Sequence, residues 1–364
     1  MKSEAGPNLL ILMSMIELQF LKHCLGNNHP FPQLGDEQWK SLFDFCVKQS
    51  IVGVGFNGVE AMNQKPPKEV LLQWLALSEQ IKQRNLLLNK RCVELKKMLE
   101  EEGLECCILK GQGNAIMYPK PYSRTLGDID VWTRGKNIRE IIKIARNNNP
   151  GGKACYHHID FGGFNNVEVE VHYRPTFMNN LIANRRLQQW IKEHEEEQFC
   201  HFVSLPDGGK IATPTWDFNV VFLLSHMYRH VIQSGLGLRQ FIDYYYLLKS
   251  NDRQEIPNLH ETLHQLGLYK FTCSVMWVLN QILGLEDKYL IAPIDEHRGC
   301  FLYNEIMQGG NFGQYDQRVG HRAGQYHKNI QRLKRDFRLL RYFPSECLWE
   351  PVFRIYHFFW RLAH

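Results

Sequence analysis

Six consecutive residues, Val167-Glu168-Val169-Glu170-Val171-His172, alternate strictly between apolar and polar side chains. A helix, with 3.6 residues per turn, would scatter both kinds around its circumference. A strand, with a period of two, puts three valines on one face and Glu168, Glu170 and His172 on the other. The fold must therefore contain a sheet with one buried face and one face that carries acids. A second alternating run, 154–161, precedes this one across the glycine- and asparagine-rich link 162–166, which predicts a hairpin.

Helical patterning surrounds this sheet on both sides and divides the chain into three regions, 1–103, 104–179 and 180–364. In the first, residues 9–25 and 37–47 carry apolar side chains at helical spacing, and Pro66-Pro67 punctuates the chain. Residues 70–102 then form one long periodic segment, its stripe including Leu71, Trp74, Leu75, Leu88, Leu95 and Leu99, with Gly103 as the stop. In the middle region, 106–109 reads as a short buried strand, 114–118 as a short helix, 128–132 as a strand and 138–147 as a helix. The third region is helical again over 218–231, 238–248 and 259–283. The glycine-rich stretch 309–313 interrupts it before a basic helix over 328–341 and a last helix opening at Pro351. The fold class expected is α/β in its mixed, α+β form: a small mixed sheet flanked by N- and C-terminal helical regions.

Composition narrows the function classes. No apolar run reaches the ~18–20 residues of a membrane-spanning helix, and the apolar N-terminal stretch lacks a basic start and a small-residue cleavage site. A net charge of +5 over 364 residues suits an anionic ligand but falls short of a dense nucleic-acid-binding stripe. Ten scattered cysteines, none in a C-x-x-C pair, read as reduced thiols. These features predict a cytoplasmic protein with no membrane partner and no dedicated nucleic-acid surface.

Asp128-Ile129-Asp130 carries the chemistry. On a strand its two carboxylates share a face, and like charges so close need a cation, a shared proton or open water. Mg²⁺ is commonly held by one or two carboxylates together with substrate phosphates. A third acid comes from Glu168 or Glu170, between which alternation does not choose. Upstream, Lys110-Gly111-Gln112-Gly113 joins a strand to a short helix; glycine there lets backbone N–H groups approach phosphate, and Lys110 adds a charge. Arg124 is placed to reach phosphate or to pair with an acid. His157 and His158 fall on opposite faces of one strand, so at most one is expected to face the acids. His226 and His230 have the i, i+4 spacing of a zinc pair but lack a third ligand. His226, Arg239 and Asp243 are placed, with Glu168 and His172, in a cleft between sheet and C-terminal helices where an acceptor would sit.

In this order the pieces resemble the DNA polymerase β superfamily of nucleotidyltransferases. More narrowly, Ile108-Leu109-Lys110-Gly111, Tyr118-Pro119, Arg124, Asp128-Ile129-Asp130-Val131, Val169-Glu170-Val171-His172, His226 with Asp243, and Gly310-Asn311-Phe312-Gly313 are similar to a family of bacterial proteins known only as nucleotidyltransferases. The resemblance implies that Asp128, Asp130 and Glu170 are metal ligands and catalytic residues for two Mg²⁺ or Mn²⁺ ions. It further implies that Lys110, Gly111 and Arg124 bind an NTP substrate, whose nucleoside monophosphate passes to an acceptor that is a small molecule, a protein or an RNA. Gln112 stands where many members carry serine. The alternatives are a toxin-like protein or tRNA nucleotidyltransferase, and a catalytically silent nucleotide-binding regulator.

Overall fold

In the computed structural model, residues 15–27, 31–251, 256–318 and 325–364 are described. Six strands occur among them: β1 (Glu105–Leu109), β2 (Ile129–Arg134), β3 (His158–Phe161), β4 (Val169–His172), β5 (Phe202–Ser204) and β6 (Lys210–Ala212). The first four form one mixed sheet in the order β1-β2-β4-β3, with β2 parallel to β4 and the other pairs antiparallel. The hairpin expected from the alternating runs is the β3–β4 pair. Its valines behave as the pattern requires: Val169 and Val171 are buried, with Ile108, Ile129, Val131 and Ile159, in a core closed by the Ile138–Asn148 helix. The opposite face carries Trp132, whose ring stacks on Phe218 of the Trp216–Gln233 helix at 5.6 Å. One side of the sheet is thus sealed by apolar contact, and the other turns its acids toward the C-terminal helices.

The long periodic segment is a 34-residue helix, Lys68–Glu101. Gly103, at φ +73°, ends it with Leu104 N–H donating to Leu99 O, the left-handed stop expected of a glycine there. Its buried stripe differs from the expected one. Leu75 is exposed, whereas Asn85 and Asn89 are buried. Asn85 Nδ2 donates to the backbone oxygens of Tyr122 and Arg124, so these polar positions tie the helix to the site loops instead of filling a core.

Several other boundaries differ. Residues 259–283 are not one helix: Leu259–Gln265 ends at Gly267 (φ +72°), Tyr269–Trp277 follows, and its last turn widens to a π-helical stretch, Val278–Ile282. The final helix begins at Pro344, not Pro351, which lies inside Pro344–Ala363. The basic helix is Gln325–Leu340. The Val52–Ala61 helix and the β5–β6 hairpin were not legible from patterning. Val52–Ala61 contains three glycines, which disfavour a helix in isolation. Packing explains them: a Cβ on Gly53 would stand 2.3 Å from Ser123 O. Residues 9–14 of the first expected helix lie outside the described residues; 15–24 are helical.

No helix among the described residues is long and apolar enough to cross a membrane. All ten cysteines are free thiols.

Candidate active site

Register brings the acids together. In the parallel β2–β4 pair Asp130 lies directly beside Glu170, and Trp132 beside His172. Asp128, one residue ahead of β2, has the same side-chain parity as Asp130. One carboxylate oxygen from each of Asp128, Asp130 and Glu170 lies within 4.8 Å of the others. Asp130 is buried, Glu170 half-buried and Asp128 exposed at the rim. Glu168 precedes β4 and is exposed; its backbone oxygen accepts from Ile129 N–H, and its side chain does not line the cleft. Val167 is buried with Val169 and Val171, so the alternation runs on through Glu168; pairing with β2 starts only at Val169, and of the two acids only Glu170 groups with the aspartates.

The negative charge of the buried acids is compensated by cations and imidazoles. Lys110 Nζ lies 2.9 Å from Asp130 Oδ2, and His172 Nε2 lies 2.9 Å from Asp130 Oδ1 and 3.3 Å from Glu170 Oε2. Burial would raise the pKa of Asp130, but the Lys110 charge and the His172 hydrogen bond outweigh it and hold the carboxyl well below its usual range. Glu170 is likewise held down against burial by His158, at 2.9 Å, and His172. Asp128 has no such partner. The neighbouring Asp130 charge pushes its pKa up to about 6, with burial adding and Lys110 opposing. Because Asp128 is exposed, repulsion is the cause that matters.

Lys110 reaches Asp130 through an unusual backbone. It links β1 to the five-residue Gly111–Ala115 helix at φ 50°, ψ −131°, a conformation costly for a side chain with a Cβ. Gly111 follows at φ 39°. Since Leu109 pairs with Asp130 across β1–β2, the turn lays the lysine over the aspartate of the next strand. Lys110 and Gly111 both line the cleft, but the ammonium is engaged by an acid and is not free for phosphate. Gln112 faces away: it is buried, and its Nε2 hydrogen-bonds Asn89 Oδ1 and Asn85 O.

Arg124 resolves into an ion pair. Its Nε and Nη2 each lie 2.7 Å from an Asp243 oxygen, and the Tyr118 hydroxyl donates to Asp243 Oδ1 at 2.6 Å. Asp243 is held below its ordinary pKa, Arg124 outweighing burial. Arg124 still borders the cleft, whereas Asp243 sits behind it and orients it, outside the cleft lining. His172 also lies behind the acids, buried against Asp130. His226 and Arg239 line the cleft as expected.

Both His157 and His158 face the cleft, contrary to the expectation that at most one would. β3 starts at His158, so His157 lies outside the alternation. Burial and Arg229 push the pKa of His157 well down. Two of the remaining lining residues, Arg229 and Phe312, were not expected in the site. Arg229 lies three residues after His226 on a mostly buried, largely apolar helix; a guanidinium in that setting was the available signal. Phe312 enters because the 310–313 turn packs on the 235–237 turn, where a Cβ on Gly237 would come within 2.9 Å of Asn311 Cα. His226 and His230 both border the cleft and form no three-ligand metal cluster among the described residues.

The cleft measures about 250 Å³. A larger cavity of about 920 Å³ lies at the far end of β2, around Arg134, Lys136 and Lys192, but its acids, Glu140 and Glu195, belong to no metal-ligand cluster among the described residues. Chemistry, not size, selects the smaller one.

The electrostatics give a first expected result. An acid whose folded pKa is raised destabilises the fold once ionised, so the penalty is absent below about pH 4 and complete above about pH 6. Asp128→Asn should therefore raise the stability of the metal-free protein at pH 7–8 by about 1 kcal/mol or less, the scale of a solvent-screened charge contact. The gain should vanish near pH 4, as read by denaturant melts across that range.

Residues 35–284 match the model of a family described as uncharacterised nucleotidyltransferase. No curated protein matches. Among solved structures, an antigenic nucleotidyltransferase-like protein from Paracoccidioides brasiliensis is similar over 57% of this chain and 94% of its own, at 14% identity and a TM-score of 0.36. So loose a superposition adds nothing to the family match.

Proposed function

We propose, for a chain that belongs to the family of uncharacterised nucleotidyltransferases, that the cleft catalyses metal-dependent transfer of a nucleoside monophosphate from an NTP to an acceptor. The observation that carries this is the convergence of Asp128, Asp130 and Glu170 within 4.8 Å on one sheet face. These residues fit divalent cations by two marks. The oxygens are hard donors of the kind Mg²⁺ and Mn²⁺ take, and the raised pKa of Asp128 records repulsion from Asp130 that Lys110 offsets only in part. Bound there, two such ions would activate the acceptor hydroxyl and neutralise the pyrophosphate leaving group.

The chain's own residues account for the rest. His172 fixes Asp130 and Glu170 from behind, limiting the reorganisation of both carboxylates when charge arrives. Lys110 compensates Asp130 in the resting site. On entry of metal and triphosphate it exchanges the aspartate for phosphate oxygens, so one cation serves both states. Arg124, clamped by Asp243 and Tyr118, presents a fixed positive edge to the cleft. His158 Nδ1 lies 2.9 Å from Glu170 Oε2, beside the carboxylate that would face the acceptor.

Incubation with each α-labelled NTP, Mg²⁺ and a cell extract as acceptor source tests the reading. Label appearing in a product in a Mg²⁺- and Asp130-dependent manner is expected. Its absence with all four nucleotides, in a protein that binds none of them, would overturn the proposal.

A further inference from the structure

Three arginines line the cleft, and they are not equivalent. Arg124 is satisfied by a two-pronged carboxylate pair with Asp243. Arg229 and Arg239 form no ion pair among the described residues. Arg229 rests its Nη1 on His157 Nε2 at 2.6 Å and its Nη2 near His226 Nδ1 at 3.3 Å. Both imidazoles are kept neutral, chiefly by burial. Arg239 donates from Nη1 to Thr125 O at 3.2 Å. In both, the Nε–H is buried with no hydrogen-bond partner. Glu170 and Asp130 reach Arg229, and Asp243 and Asp128 reach Arg239, only as longer-range fields.

A guanidinium removed from water without an anion is costly, and an orphaned N–H adds to that cost. Aromatic faces steady both planes: Phe177 lies 5.1 Å from the Arg229 carbon and Phe312 5.3 Å from that of Arg239. Two positioned forks with donors unused match the parallel oxygens of a phosphate group. We propose that Arg229 and Arg239 form an oxyanion site of the phosphate class on the helical side of the cleft, able to hold its ligand without metal. The proposal rests on the nucleotidyl-transfer reading only for the origin of the anion, which is either the triphosphate tail or an acidic group on the acceptor.

The test is calorimetric titration of tripolyphosphate into the full chain in metal-free buffer containing a chelator. Wild type should bind, and Arg229→Gln and Arg239→Gln should each lose roughly ten- to a hundredfold in affinity, the scale of charge-assisted hydrogen bonds. Arg→Lys at either position keeps a charge and the stem packing but loses the fork, and should fall between. The tripolyphosphate-induced rise in melting temperature gives the same reading for a variant that is less stable. A wild type that binds no tripolyphosphate, or Gln variants that bind it unchanged, would overturn the site. Titrating inorganic phosphate into protein saturated with Mg²⁺ and a non-hydrolysable NTP separates the sources. Exclusion of phosphate assigns the site to the triphosphate, and Arg-dependent binding assigns it to an anionic acceptor. Because the first titration uses neither metal nor nucleoside, it can succeed even where no nucleotidyl transfer is found.

Discussion

Glu170→Gln is expected to lower nucleotidyl transfer by roughly a thousandfold, about 4 kcal/mol on the barrier, while Glu168→Gln leaves it within a factor of about two. Glu170 faces Asp130 across β2–β4 and lines the cleft, so removing its charge strips the acceptor side of its carboxylate. Glu168, two residues earlier, is exposed and contributes a backbone oxygen to the sheet. Both variants retain a hydrogen-bonding side chain of the same size, and a melting temperature for each separates chemistry from folding. Pyrophosphate release in a single turnover is the measurement. Equal losses at both positions, or a larger one at Glu168, would reverse the assignment.

Lys110→Ala should produce two opposite effects. In the metal-free protein it leaves the buried Asp130 beside Asp128 and Glu170 with only imidazole support. Breaking one side of a buried pair costs about 3 kcal/mol or more, and the lysine side chain is only 16% exposed. A fall of roughly that size in unfolding free energy is expected. The same change removes the cation that competes for Asp130 Oδ2, so the affinity for Mg²⁺ alone should rise, and saturating Mg²⁺ should restore much of the stability. NTP affinity should fall nonetheless, and nucleoside affinity should not, since only the triphosphate takes over the ammonium. A variant equally stable with and without Mg²⁺, or one losing NTP and nucleoside affinity alike, would remove Lys110 from this exchange.

How much of this was legible depended on whether a residue obeyed a local period. Asp130 and Glu170 sit within strands whose partners alternate, and their shared face follows from counting by two. Glu168 and His157 lie one residue outside their strands: counting by two did not choose between Glu168 and Glu170 and set His157 and His158 on opposite faces, whereas Glu170 and both histidines line the cleft. For Lys110 a phosphate contact was expected, and for Arg124 either phosphate or an acid, because a charge beside a glycine turn or an acid strand does not reveal its partner. Their partners, Asp130 and Asp243, are 20 and 119 residues away and become visible only once helices and sheet are packed. Two polar positions of the long helix, Asn85 and Asn89, carry no sequence signal of their own, yet they hold the Arg124 loop and Gln112. Arg229 carried a signal, a charge inside a mostly buried, largely apolar helix, that patterning treats as noise.

If Asp128, Asp130 and Glu170 hold divalent metal for a bound nucleotide, Asp128 is the ligand whose removal disturbs the protein least. Asp130→Asn also orphans Lys110 and disturbs His172, whereas Asp128→Asn breaks no ion pair and relieves a repulsion. Calorimetric titration of Mg²⁺ into wild type and Asp128→Asn, each with a non-hydrolysable NTP at pH 7.5, is therefore the most direct measurement. Wild type is expected to show metal-dependent binding that weakens as the pH falls below about 6, where Asp128 takes up a proton, and the variant, folded and no less stable, is expected to lose at least about tenfold. Wild-type Mg²⁺ and NTP affinity in Asp128→Asn would contradict metal binding at these acids.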